Sequence, residues 1–370
     1  MNTVKQTCCI CCCIKNEHDF INRWLEYHIK IGISHFYLLV DNVYDEQEPY
    51  IIDKKFKDKV TMIIADKDYA KKHNINIDIK QHNNNNIVIH KLYNTLFSLV
   101  KEDWISMCAL DNYIYLYKNI DEFLTCIYNE NSNCSQIIMP WINIANLLDN
   151  NIENFPLDLG IEKYYHLPVK SCQSIIKRSN LKEININSHT FISKTPNQII
   201  YINSSYKLMP NILETHYIFN LSLGYWKPIV DKGLVESFKS PFIIHNIIRN
   251  YNEVLIKDCL SWKKYDKFLN LKNFLEFKSN KIDSHLTCRS AYLYEVDKYY
   301  VFNLKLSRFQ DINLESKNTN KYYDKLIEDI LNKNKIDINV FNNWKTKIKK
   351  YNIFYMHSRK KLNFKNINLL

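Results

Sequence analysis

Three aspartates each stand at the end of an apolar, strand-like run. Asp41 follows "HFYLLV" (35–40), Asp66 follows "VTMIIA" (60–65) and Asp111 closes "WISMCAL" (104–110). A carboxylate on a short turn beyond a strand is a natural ligand for Mg²⁺ or Mn²⁺, which take hard oxygen donors. A cation held there can carry the charge of a phosphate leaving group. An aspartate in the same place also caps a strand-to-helix turn, and taken alone Asp111 reads that way.

A second group is the cysteine cluster in "TCCICCCIKNEHDF" (7–20). Cys8/Cys11 and Cys9/Cys12 are formally C-x-x-C pairs, but a structural zinc site takes four ligands and no second knuckle follows. An N-terminal cysteine cluster could also be S-acylated if it lay exposed near a membrane. The run continues straight into Lys15-Asn16-Glu17, and cysteine used as a small hydrophobe in a buried strand explains it with the fewest assumptions. The total of 11 cysteines is odd and the other six are scattered singly, so reduced thiols are expected.

Composition narrows the chemistry further. Only Gly32, Gly160, Gly224 and Gly233 occur in 370 residues, so neither G-x-G-x-x-G nor a P-loop can be written. Any nucleotide must be bound by other means. The abundance of Asn, Ile and Lys, with the run Asn83–Asn86, fits drift under an AT-rich genome, such as that of a large DNA virus or an AT-rich eukaryote. The net charge of +11 admits anionic partners without choosing among them. No apolar run approaches the roughly 18–20 residues that span a bilayer, and no signal peptide is legible. The expected compartment is the cytoplasm, the host's if the chain is viral.

The elements that must position these residues alternate. Residues 7–14 read as a strand buried on both faces, and residues 19–31 as a helix with Phe20, Ile21, Trp24, Leu25, His28 and Ile29 on one side, stopped by Gly32. Strands follow at 35–40, 60–65, 104–110 and 136–144, with a helix over 87–100. This alternation predicts an α/β fold with a largely parallel sheet, whose ligands gather at the carboxyl ends of the strands. Beyond about residue 265 the pattern turns helical, basic and aromatic, with helices expected over 265–277 and 321–352.

"KNEHDFINRWLEYHIKIGISHFYLLVDNVYD" (15–45) resembles the opening of glycosyltransferase family 92 and related family 2-like proteins. The shared pattern is K-N-E, E-W-x-x-Y-H, G-[IV]-x-H-F-Y and D-N-x-S-x-D. Lys15, Asn16, Glu17, Trp24, Tyr27, His28, Gly32, His35, Phe36, Tyr37, Asp41, Asn42 and Asp45 follow it in order. "DWISMCALDNYI" (103–114) resembles the family's D-W-[IL]-x-F-x-D-x-D-E-F-[IL] block. Trp141, "SIIKRSNL" (174–181) with His189, and "IIHNIIRNYNEVLIK" (243–257) resemble later segments. The similarity covers about residues 8–260.

The resemblance implies a GT-A-like domain over 1–265, with a mostly parallel central sheet flanked by helices, and a basic α-helical appendage over 266–370. It implies a transferase moving a sugar from a nucleotide donor, UDP-linked, to a glycan or glycoprotein hydroxyl with inversion, assisted by Mn²⁺ or Mg²⁺ at Asp111. Lys15, Asn16, Glu17, Asp41 and Asn42 would contact the nucleotide, and Lys177, Arg249 and Lys257 would offset phosphate charge. His189 and His245 would line the donor or acceptor site, and the base would come from Asp149, Glu153 or Asp158.

The departures bear on activity. Where the family has D-x-D-E-F this chain has Ala109-Leu110-Asp111-Asn112-Tyr113, one carboxylate in place of three. N-H-Y becomes Ile244-His245-Asn246, Gln173 stands where a Lys is expected, and Arg23 replaces the Glu before Trp24. "NIDEFL" (119–124) mimics the acidic motif but breaks the spacing from Trp104, and reads as the next helix with Phe123 and Leu124 inward. A GT-A-fold protein without turnover, acting as a binding or scaffold module, is therefore the alternative. After Asp337 no acidic residue occurs, so residues 338–370 form a basic, aromatic tail. Such a tail packs on its own protein, or in the turnover-free alternative associates with an anionic membrane surface or with nucleic acid; nucleic acid is the less expected partner.

Overall fold

The structure is a computed structural model that describes residues 5–44, 46–77, 85–116, 119–145, 164–184, 191–202, 208–210, 217–220, 225–228, 242–248, 300–302, 314–316, 319, 321–333 and 335–343. The chain divides into two compact units. The first comprises 1–142, 168–245 and 312–317, and the second 143–167, 246–311 and 318–370.

In the first unit β1 (Cys8–Ile14) is the central strand. It pairs in parallel with β2 (His35–Asp41) on one side and β4 (Trp104–Met107) on the other, and β3 (Val60–Ala65) adds in parallel beyond β2. Past β4 come β7 (Tyr164–Lys177), which is antiparallel to it, then β6 (Gln136–Ala145) and β10 (Ile199–Ile202), a parallel pair. The result is a mixed α/β, GT-A-like layer with a mostly parallel central sheet flanked by helices. Strands β1, β2 and β4 carry near-continuous apolar runs because both their faces are covered.

The cysteine run divides between those faces by strand alternation. Cys9 and Cys11 join Tyr37, Leu39, Ile105, Met107 and Ile176 in a core closed by Leu92 and Leu96 of α3 (Asn85–Phe97). Cys8, Cys12 and Ile14 point the other way and are equally buried. Burial raises the Cys8, Cys9, Cys12 and Cys13 thiols above their ordinary range, which keeps them protonated and unreactive.

Helix α1 (Ile21–Lys30) buries Ile21, Trp24, Leu25, Tyr27 and His28. It ends where Gly32 N–H reaches Ile29 O at 3.0 Å and Ile33 N–H reaches His28 O at 2.9 Å. This double closure needs a left-handed residue, and Gly32 supplies it with φ +100°. Helix α2 (Lys67–Lys72) is short, and α4 (Ile120–Glu130) arises from the "IDEF" stretch with Phe123 and Leu124 buried as expected.

Two features differ from the sequence reading. The fourth strand stops at Met107 rather than 110. A further strand, β5 (Asn112–Tyr115), follows the turn at Asp111. Its partner is β14 (Phe242–Ile248), antiparallel and far along the chain, so no local periodicity reveals it. In the second unit Tyr300–Phe302 pairs with Tyr164, Tyr165 and His166, and α5 (Lys321–Lys333) buries Tyr323, Ile327, Ile330 and Leu331. The helix expected over 265–277 and the tail beyond 343 lie outside the described residues. Among the described residues no helix is long and apolar enough to cross a membrane.

Candidate active site

Strand order reverses between β1 and β4, with β2 and β3 leading away on one side and β7 on the other. The carboxyl ends beside such a reversal form the natural crevice of an open α/β sheet. Three segments meet that edge: the Lys15-Asn16-Glu17 turn after β1, Asp41-Asn42 at the end of β2, and the Cys108–Asp111 turn after β4.

The first two segments are tied together by a loop. Asn16 takes a left-handed conformation (φ 57°), an uncommon state for a non-glycine residue. Its N–H donates to Gln47 Oε1 at 2.7 Å, and the Glu17 N–H donates to Tyr50 Oη at 3.0 Å. Gln47 Nε2 in turn donates to Asp41 O (2.7 Å) and Asn42 Oδ1 (3.2 Å), while the Tyr50 hydroxyl donates to Gln47 Oε1 at 3.2 Å. The His18 ring stacks on Tyr50 with centroids 3.8 Å apart and donates through Nε2 to Glu48 O. Burial lowers the His18 pKa, which favours the neutral ring. Asp41 accepts from Val43 N–H and lies 3.8 Å from Lys15 Nζ. Asp66, by contrast, caps α2 by accepting from Tyr69 N–H at 2.8 Å.

Asp111 sits buried in the turn between β4 and β5. The turn is held by side chains of α1 acting on backbone atoms. Trp24 Nε1 donates to Asn112 O at 2.9 Å and the Tyr27 hydroxyl to Ile114 O at 2.8 Å. His28 donates through Nδ1 to Trp24 O at 2.9 Å, which leaves Nε2 as the acceptor for Ile114 N–H at 3.4 Å. Burial pulls the His28 pKa down to about 3, so the ring stays neutral and that acceptor persists. The W-x-x-Y-H residues of the motif therefore act on the backbone of the Asp111 turn.

Burial chiefly, then the neighbouring Cys13 and Cys108, with Glu17 and Asp111 adding smaller contributions, raises the Cys12 thiol. Asn112 stands where the family pattern has a Glu, and its Oδ1 is a buried acceptor with no hydrogen-bond partner. The Asp111 carboxylate and this amide oxygen are each of the hard oxygen donor type that Mg²⁺ or Mn²⁺ takes. Among the described residues no group of three His, Cys, Asp or Glu side chains is placed to hold a metal.

Of the residues singled out from sequence, Lys15, Asn16, Glu17, Asp41, Asn42 and Asp111 come to this edge. His245 comes beside it on β14, opposite Asn112 in the strand register. Lys177 does not: it pairs with Trp104 at the start of β4, the opposite end of the strand from Asp111, because β7 runs antiparallel. Its ammonium donates to Ser132 O and lies over the Trp104 and Tyr128 rings. Asp149, Glu153, Asp158, His189, Arg249 and Lys257 lie outside the described residues. Sequence reading missed Gln47 and Tyr50, which lie in the "EQEPY" stretch (46–50) after the family-like "DNVYD"; their signal is two uncharged polar side chains a few residues past a strand-end Asp-Asn.

No protein-family model matches the chain, and no curated protein does. Among solved structures, UDP-glucose pyrophosphorylase complexed with UDP-glucose aligns at 9% identity with a TM-score of 0.22, over 48% of this chain and 77% of that one. The apo form of UDP-glucose pyrophosphorylase aligns at 9% and 0.22 over 65% and 90%.

Proposed function

We propose that the chain is a divergent GT-A-type glycosyltransferase that binds a UDP-linked sugar at the carboxyl edge of β1, β2 and β4. The observation that carries this reading is the convergence there of the Lys15-Asn16-Glu17 turn, Asp41-Asn42 and the buried Asp111. Asp41 and Asn42 would contact the nucleoside. Asp111, with Asn112 Oδ1, would hold a Mn²⁺ or Mg²⁺, which when bound supplies charge neutralisation to the diphosphate leaving group. Lys15, within ion-pair reach of Asp41, adds positive charge at the same edge.

The acceptor would be a glycan or glycoprotein hydroxyl, and a carboxylate from Asp149, Glu153 or Asp158 would take its proton in an inverting transfer. His189 and His245 are proposed to line the donor or acceptor site, and Arg249 and Lys257 to face phosphate. The basic residues from 338 onward are proposed to make peripheral contact with an anionic membrane. Incubation with a panel of radiolabelled nucleotide sugars, scored for donor hydrolysis with and without Mn²⁺, tests the reading. Mn²⁺-stimulated release of the sugar from a UDP donor is expected. Nucleotide binding without any release would favour the turnover-free module that the Ala109 and Asn112 replacements suggest.

A further inference from the structure

The surface of α1 beside the Trp24–Tyr27–His28 face carries a second set of contacts, directed at a distant short segment. Glu26 is 3% exposed in its side chain yet charged, and its two oxygens accept consecutive backbone N–H groups: Oε1 from Glu315 at 2.8 Å and Oε2 from Ser316 at 2.7 Å. One turn back, Arg23 Nη1 donates to Ser316 O at 2.7 Å. The Ser316 hydroxyl donates to Asp53 Oδ2 at 3.2 Å, and Lys55 bonds the Glu315 carboxylate at 2.7 Å. Asn22, also on α1, receives the Asp53 N–H at 2.9 Å.

Burial alone would raise the Glu26 pKa. The N–H groups of Glu315 and Ser316, the Ser316 hydroxyl and Lys30 outweigh it and leave the carboxyl at about 2. The Arg23 bond and the two N–H bonds to Glu26 read the backbone of the segment, while Asp53 and Lys55 hold its side chains. The chain on both sides of 312–317 belongs to the second unit, while this segment belongs to the first. Arg23 is also the position where the family-like motif has a Glu, so the clamp uses a residue in which this chain departs from the pattern.

We propose that residues 314–316 are a latch on α1, and that Glu26 is a positioning residue which, through the latched helix, holds the backbone of the Asp111 turn. One rigid helix makes both sets of contacts, so undocking the segment loosens the helix that Asn112 and Ile114 lean on. The relevance to donor binding rests on the proposed function. The test below needs no nucleotide, so failure of the latch and failure of that function are separable.

Hydrogen–deuterium exchange on the full chain compares wild type with Glu26→Gln and Ser316→Pro. The second variant removes a strap N–H while leaving α1 intact. In both, the Glu315 amide should exchange about tenfold faster, the scale of one lost bond to a charged group. The Asn112 and Ile114 amides should accelerate with it while β1–β2 amides stay unchanged. A released strap with unchanged Asn112 and Ile114 amides would overturn the proposal, as would unchanged strap amides. Acceleration spreading to β1–β2 in both variants would also overturn it, since that is general destabilisation.

Discussion

The two halves of the carboxyl edge are built in opposite ways. At the ends of β1 and β2 the turn is a polar lattice in which Gln47 joins Asn16, Asp41 and Asn42, and Tyr50 takes the Glu17 N–H. At the end of β4 the turn is gripped by buried aromatics and a neutral histidine, while the side chains facing it are thinned to one carboxylate and an unpartnered amide oxygen. In the first half the Asn16 and Glu17 N–H groups and the Gln47 amide are all paired within the turn. The second holds its backbone firmly but leaves a buried acceptor unsatisfied, which costs about 1–3 kcal/mol where nothing binds. Under the proposed function, the half assigned to the nucleoside is the more fully hydrogen-bonded and the half assigned to the leaving group the less so.

Three substitutions would break or sharpen this contrast. The largest effect is expected from His28→Phe, which strands the Ile114 N–H and should cost about 1–3 kcal/mol in urea unfolding at neutral pH. The pH dependence fixes the cause. The folded pKa of about 3 lies below the ordinary histidine value of about 6.5, so between them the unfolded chain binds the extra proton. Stability contributed at this site therefore falls as pH drops from 6.5 toward 3, and His28→Phe should flatten that slope. An unchanged slope would assign the acid sensitivity elsewhere.

Gln47→Ala should act on the other half alone. Loss of its bridging bonds is expected to cost about 1–2 kcal/mol and to weaken nucleotide binding without altering its metal dependence. If the metal dependence also vanished, the two halves would not be separable. Smallest is Gly32→Ala, at about 1 kcal/mol, because φ is +100° and a Cβ there would meet Ile120 Cγ2 at 3.2 Å. It acts on the end of α1, so its effect should be read in melting temperature rather than in ligand affinity.

Much of the frame was legible because it depends on local pattern. The continuous apolar run of β1, the amphipathic α1 and its Gly32 stop, and the inward face of "IDEF" all appear where periodicity puts them. The motif residues Trp24, Tyr27 and His28 were legible as a group but not in their task, since hydrogen bonds to backbone atoms some 86–88 positions away leave no periodic trace. β5 was missed because its partner β14 lies beyond any local window. Lys177 was misplaced for a similar reason: a residue's end of the sheet depends on strand direction, and the reversal of β7 is a tertiary fact.

The central claim is that Asp111 and the turns beside it form a cation-assisted nucleotide site. Isothermal titration of UDP into the full chain, with and without Mn²⁺, compared between wild type and Asp111→Asn, tests it most directly. Binding strengthened by Mn²⁺ in the wild type, with that gain lost in Asp111→Asn, is the predicted result. No UDP binding under either condition, or a Mn²⁺ gain that survives Asp111→Asn, would contradict it.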